Sequence, residues 1–384
     1  MRFEAAARGF KVEPRPYQRR IVQSTVDMFL GNHLNRAGVK QPYARSVLIE
    51  SPTGSGKSVI ALMAAKMLQH NNPNLVIGWV AMRRELLRQA EKENVAKEIN
   101  VQNIHYTSMF ARSPSALVEA KAAGKKILLV VDESQHDATS SMAHLHNIIQ
   151  PEYVLGMTAT PFRTDRVKLC FDQVIRDAGI HQLILDGFLS PYHHYTIQDW
   201  KPETIATRYL EDPKRWGPSI FFFHQMKDCF ELSSILNGNG IVSEVVTGDS
   251  DRETQLKMFA DGDVKCVINC MVLSEGFDAP FLSTAWVRDS GRGPTIQMGG
   301  RVFRKHKDLP FKQIVQSKGT HWPFLKTATP KMQYIWQNNE WMSLEINEKI
   351  EDIAGNAMWA IANIDVTLPK FLTNKKTKKR VVGN

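Results

Sequence analysis

Residues Ser51-Pro52-Thr53-Gly54-Ser55-Gly56-Lys57-Ser58 have the composition and spacing of a loop that closes around phosphate. The glycines let backbone N–H groups approach phosphate oxygens, and a helix starting at the loop's end would add positive potential. In such a Walker A loop, Thr53 to Gly56 line the phosphates. Lys57 reaches the β- and γ-phosphates, and the Ser58 hydroxyl ligates Mg²⁺. The first position is Ser51, where the general pattern has glycine. About 75 residues further on stands a carboxylate pair, Asp132-Glu133, at the end of an apolar run. Alone, such a pair is often a polar turn. Behind a phosphate loop it suits the second half of a nucleotide site, with Asp132 on the metal and Glu133 polarising the attacking water. Together the two segments point to hydrolysis rather than binding alone.

These residues need strands and helices to hold them. Ser46–Glu50 (SVLIE) reads as a buried strand feeding the loop, and a helix from about Ser58 to His70 follows, stopped by Asn71-Asn72-Pro73. Leu75–Val80, Lys126–Val131 and Tyr153–Met157 read as further strands. A second series runs through Ile220–Phe223, Ser243–Thr247, Val264–Asn269 and Thr284–Val287. Short β-branched runs alternating with helical patterns imply parallel α/β layers. Ile180–Tyr195, with Gly187 and Pro191, reads as the linker between the series. After about Lys318 the pattern changes to four tryptophans, polar helical stretches and a basic tail. We expect Trp322, Trp336, Trp341 and Trp359 to pack a small helical lobe, although tryptophans can also stack on bases.

A chain of 384 residues suits two domains with an appendage. No apolar stretch approaches the roughly 18 residues of a membrane span, and the first residues lack the apolar core of a secretion signal. Cys170, Cys229, Cys266 and Cys270 are too scattered for a disulfide scaffold, and no second cysteine pair makes a zinc site with Cys266 and Cys270. The expected compartment is the cytoplasm, at the nucleoid or in a host cell if the chain is phage-encoded. The net charge is +10, and residues 301–384 hold fifteen Lys/Arg against seven Asp/Glu, so most of the excess lies there. That makes a polyanionic partner plausible. The tail Lys375, Lys376, Lys378, Lys379 and Arg380 is either a solvated terminus or a source of non-specific nucleic-acid affinity.

Six more segments, in order, resemble motifs of superfamily 2 helicases and translocases. They are Arg15-Pro16-Tyr17-Gln18, Ala81–Gln89 (AMRRELLRQ), Gly156–Pro161 (GMTATP), Ile220–Leu232, Leu273–Pro280 (LSEGFDAP) and Gln297–Arg304 (QMGGRVFR). The resemblance covers roughly residues 14 to 318. Val246–Asp249, Phe259–Gly262 and LILDGFLSP at Leu183–Pro191 make the chain most similar to the DNA-repair and phage-type group typified by RadD and UvsW, related to restriction-enzyme motor subunits. DEAD-box RNA helicases fit less well, since the acidic box is not DEAD and TAT replaces SAT.

The resemblance implies two tandem RecA-like parallel-sheet domains, residues 1–188 and 189–318, with ATP and Mg²⁺ between them and an extension over 319–384. It implies that Gln18 reads adenine and that Gly276 and Asp278 face both nucleotide and nucleic acid. Thr158, Thr160 and Gln297 would couple the two, and Arg301 and Arg304 would reach the γ-phosphate when the cleft closes. Arg83, Arg84 and Thr107 would lie along a nucleic-acid backbone, although the two arginines also suit an exposed helix start. The fourth residue of the acidic box is Gln135 where this group usually has His; its amide can still bridge nucleotide and neighbouring motifs, so activity is expected. The implied protein is an ATP-driven DNA helicase or translocase working as a monomer on duplex, single-stranded or branched DNA, in repair or recombination. An RNA-directed helicase and the motor subunit of a larger restriction or defence complex are the alternatives. A small-molecule P-loop kinase would have no second series of motifs.

Overall fold

The computed structural model describes residues 10–34, 37–134, 140–159, 171–270, 272–273 and 279–344. Two sheets dominate it. The first contains β1 (Ser46–Glu50), β2 (Val76–Ala81), β3 (Ile104–Ser108), β4 (Ile127–Val131), β5 (Tyr153–Thr158) and β6 (Gln173–Arg176), in the order β3-β2-β4-β5-β1-β6. All its pairings are parallel. β2 and β4 are buried along their whole length, as expected of parallel strands covered on both faces. The helices Pro16–Phe29, Lys57–Asn71 and Arg84–Ala96 stand side by side and contact the sheet, and Ser115–Ala122 packs on Ser140–Ile149.

The second sheet contains β7 (Tyr192–Ile197), β8 (Ser219–Phe222), β9 (Ser243–Val246), β10 (Cys266–Asn269), β11 (Thr284–Trp286), β12 (Lys312–Ser317), β13 (Met332–Gln337) and β14 (Glu340–Ser343). Its order is β14-β13-β7-β12-β11-β8-β10-β9, parallel except for the β13–β14 edge pair. The α/β class with parallel sheets expected from the alternating pattern is therefore observed.

Three segments differ from the sequence reading. The stretch read as a linker holds a helix, Ile180–Leu185, and the first residues of β7. The strand β12 reads as polar (KQIVQS), yet Lys312, Gln313 and Gln316 are buried because each finds partners. Lys312 Nζ donates to the Pro280 and Leu282 carbonyls, and Gln313 Nε2 donates to the Arg215 carbonyl and Thr284 Oγ1. Gln316 Oε1 accepts from the Phe324 N–H. Finally, Trp336 and Trp341 face each other across a β-hairpin rather than in a helical lobe. Its two-residue turn is Asn338-Asn339, both at positive φ, which suits the twist of the flanking strands. Arg208 lies 3.7 Å from the Trp336 ring centre and holds the hairpin to helix Pro202–Glu211. Trp359 and the basic tail lie outside the described residues.

Burial lowers the pKa of His194 from its usual 6.5 to about 4, and its Nε2 pairs with Gln316 Oε1. The folded state thus resists protonation that the unfolded chain accepts. Stability should fall as pH drops from about 6.5 toward about 4, and His194→Gln should flatten that part of a denaturation profile.

Candidate nucleotide site

The first sheet points the carboxyl ends of its strands at a cleft, and the segments that lead into β7, β11 and β12 of the second sheet face it. In open parallel sheets the crevice beyond the carboxyl ends of the strands is where ligands sit. β1 delivers the loop Ser51–Gly56 there, and β4 delivers Asp132 and Glu133 with β5 between them.

Gly54 and Gly56 have φ of +83° and +81°, the left-handed region that side chains rarely adopt. Gly56 caps helix Lys57–Asn71 with no side-chain hydrogen bond, which leaves the first helical N–H groups without a side-chain acceptor. The loop is braced from below. Ser51 N–H donates to the Thr158 carbonyl, Ser51 Oγ donates to Ser55 Oγ at 2.7 Å, and Ser55 Oγ donates to the Pro52 carbonyl. Ser51, the departure from the glycine pattern, is thus one of the loop's braces. The Ser55 carbonyl also accepts from the Tyr17 hydroxyl and, at 2.9 Å, from Gln18 Nε2.

Asp132 and Glu133 are buried. Burial, with the Glu133 carboxylate adding to it, pushes the pKa of Asp132 above the usual carboxylate range, and the Lys57 ammonium pulls the other way. Glu133 has φ +52°, uncommon for a residue with a side chain, and its N–H donates to Asp132 Oδ1. The next residue fixes this turn: Ser134 Oγ donates to the Val131 carbonyl and accepts from the Met157 N–H. Gly156 makes room for it. A Cβ there would stand 2.7 Å from Ser134 Oγ and 2.5 Å from Phe171 Cζ. Gly156→Ala should therefore cost about 1–3 kcal/mol, seen as a lower thermal midpoint, because Ser134 is committed at both ends.

A cavity of about 310 Å³ joins these parts. Thr53, Gly54, Gly56, Lys57, Ser58, Asp132 and Glu133 line it from the first sheet, with Arg15 and Gln18 from the segment before β1. Arg301, Arg304 and Lys305 line it from the second. Arg301, buried, follows the last residue of helix Arg292–Gly300. The two layers touch here: Arg304 Cγ lies 3.4 Å from where a Gly54 Cβ would stand, and Thr53 lies at the same distance from a Cβ on Gly300. Ser55 braces the loop from within and does not line the cavity.

Other expected residues fall elsewhere. Thr158 is buried at the end of β5 and meets the loop through its carbonyl. Gln297 lies one turn before Arg301 but does not line the cavity. Arg83 and Arg84 start helix Arg84–Ala96 after β2, and Thr107 lies on neighbouring β3 paired with Val80, so the three share one sheet edge outside the cavity. Gln135, Thr160, Gly276 and Asp278 lie outside the described residues.

Reading by motif missed several cavity residues. Gln89 and Glu93 line it from a helix assigned to nucleic acid, and Phe188 and Leu189 line it from the segment read as a linker. The Phe188 ring meets Tyr17 edge-on at 5.4 Å, with the Arg15 guanidinium 5.3 Å from the same ring. Among the described residues no group of three or more His, Cys, Asp or Glu could hold a metal, so a cation here would rely on Ser58, Asp132, phosphate oxygens and water.

Comparison with known proteins agrees with this architecture. The family described as "Type III restriction enzyme, res subunit" matches residues 11–163. A protein carrying a helicase name in Sulfolobus islandicus filamentous virus is 24% identical, over 75% of this chain and 63% of its own length. The Schizosaccharomyces pombe protein irc3, named as a mitochondrial ATP-dependent helicase, is 23% identical over 78% of this chain and 56% of its own. A 51.5 kDa protein of a Lactococcus phage is 22% identical, over 61% of this chain and 56% of its own length. The chain thus spans between 56% and 63% of these relatives. In fold it is similar to the Type ISP restriction-modification enzyme LlaBIII bound to DNA, with a TM-score of 0.55 and 15% identity over 82% of this chain and 28% of that one. It is also similar to a variant of S. cerevisiae Dbp5 bound to RNA and ADP BeF3, with a TM-score of 0.53 and 14% identity over 90% and 97% of the two chains. With its motifs in order on two parallel-sheet layers, the chain is similar to superfamily 2 helicases of the restriction-enzyme motor group, with the family match confined to the first layer.

Proposed function

We propose that the chain is an ATP-driven, nucleic-acid-stimulated motor acting on DNA, with branched, damaged or recombining DNA as its substrate and a single copy as the working unit. One observation carries the reading: a lysine and two carboxylates of the first layer and two arginines of the second line one cavity. In this account Lys57 and the Gly54–Gly56 backbone hold the phosphates, and Ser58 and Asp132 hold Mg²⁺, which favours the ionised form of Asp132 that burial disfavours. Glu133 polarises the water, and Arg301 and Arg304 neutralise charge on the transferring phosphoryl group. Gln18, bonded to the loop and lining the cavity, reads the base. The arginines come from the opposite layer, so hydrolysis depends on how the layers meet, and the layers' movement can be spent along a strand. Arg83, Arg84 and Thr107 at one sheet edge suit backbone contacts, which give weak sequence preference and strong salt dependence. The residues are expected to act in the cytoplasm; no helix among the described residues is long and apolar enough to cross a membrane.

A second reading, the motor piece of a larger restriction or defence assembly, is favoured by one observation. The fold matches only 28% of the LlaBIII chain, so a unit of this kind occurs there within a larger enzyme. Comparing ATP hydrolysis on single-stranded DNA, duplex, forked DNA and RNA tests the substrate assignment. Greatest stimulation by the fork is expected, and stimulation by RNA alone would overturn the DNA assignment.

A further inference from the structure

A second crevice of about 320 Å³ opens in the same cleft. Ser51 and Pro52 of the phosphate loop and Ala159 at the end of β5 form one side. Arg292 and Ile296 of helix Arg292–Gly300 and Lys326 form the other. Its carboxylates are already engaged: Glu50 pairs with Arg176, and Asp177 accepts from Arg20 Nε at 2.9 Å. The exposed Arg292 and Lys326 have no carboxylate within ion-pair distance among the described residues, so they give this lip a net positive charge. Both approach one ring, Trp322, with the Arg292 guanidinium 5.6 Å and the Lys326 ammonium 5.3 Å from its centre. The half-buried Trp322 is fixed, its Nε1 donating to Thr327 Oγ1 and its carbonyl accepting from Gln316 Nε2.

We propose that Arg292, Trp322 and Lys326 form a contact site for a single strand of nucleic acid, the two cations meeting phosphates and the ring offering a surface to a base. The proposal rests on the reading of the partner as nucleic acid given above. Two cations beside an aromatic ring on an open lip suit a polymer of alternating phosphate and base. The site also touches the machinery of hydrolysis twice. The crevice beside it has the start of the phosphate loop as its facing side, and Arg292 begins the nine-residue helix after which Arg301 follows, a rod of about 13 Å. A strand seated here bears on both sides of the nucleotide cavity.

The test is fluorescence anisotropy of a labelled oligo-dT strand with the full chain across a salt series. Arg292→Glu/Lys326→Glu should weaken binding at least tenfold. It should also lower the slope of log affinity against log salt by about 1.4, two contacts at about 0.7 each. ATP hydrolysis without nucleic acid should stay at the wild-type level, which reports intact folding, and the neutral pair Arg292→Gln/Lys326→Gln should weaken binding in the same direction. Lys121→Glu/Lys125→Glu, which removes equal charge at the opposite end of the first sheet, should leave affinity unchanged. Wild-type affinity and slope in the Arg292/Lys326 variants would overturn the site while leaving the nucleic-acid reading intact. Equal weakening by both charge-reversed pairs would reduce the effect to bulk charge and overturn it too. A wild-type chain that binds neither oligo-dT nor an RNA strand would remove the nucleic-acid reading and this site with it.

Discussion

Arg301→Ala is expected to leave ATP affinity within a few-fold of wild type and to cut turnover by about 10³ or more. The expectation comes from where the residue sits. Arg301 belongs to the second layer, behind helix Arg292–Gly300, and reaches a cavity whose phosphate loop belongs to the first. Binding is proposed to draw on the Gly54–Gly56 backbone and Lys57, which the substitution does not touch. The transition state spreads charge over the γ-phosphoryl oxygens, and only then is a cation from the far wall worth most. The checks are equilibrium binding of a fluorescent ATP analogue and steady-state phosphate release. A proportionate fall in both would mean that Arg301 supports the ground state and is not a finger. Arg301 is buried and the layers touch beside it, so Arg301→Lys serves as the folding control; it keeps charge but loses the planar fork, and should recover little turnover.

Glu133→Gln should be nearly as severe, lowering turnover by about 10²–10⁴ while ATP and Mg²⁺ still bind. The amide is nearly isosteric, so the left-handed turn at Glu133 and the stitch through Ser134 should survive. What it removes is the group proposed to accept a proton from the attacking water. The measurement is single-turnover hydrolysis of pre-bound ATP, which separates chemistry from binding and release. Unchanged single-turnover rates would move the base elsewhere and leave Glu133 a structural role.

Local signals and the fold agree where chemistry and element are written in adjacent residues. Ser46–Glu50 is a strand at its expected bounds, and the helix expected from about Ser58 runs Lys57–Asn71. Both follow from a β-branched run, two glycines and a helical stretch in succession. The polar strand β12 escapes such reading because its buried amides and ammonium find partners distant in sequence, as Lys312 does in the carbonyls of Pro280 and Leu282. The site divides the same way. The loop and the carboxylates are motifs, whereas Gln89, Glu93, Phe188 and Leu189 enter the cavity only through the packing of helices and the path of the chain between the sheets. The tyrosine at 17 is a clear example. It lies inside a motif read for its glutamine, yet both hydroxyl and amide converge on the same carbonyl, that of Ser55.

One cavity, built from both layers, is proposed to hydrolyse ATP in response to nucleic acid. Its most direct test is steady-state ATP hydrolysis by the full chain with and without single-stranded DNA, with Lys57→Ala alongside. Strong stimulation by the strand and loss of activity in the variant under both conditions are expected. Hydrolysis that no DNA or RNA stimulates, or that survives Lys57→Ala, would contradict it.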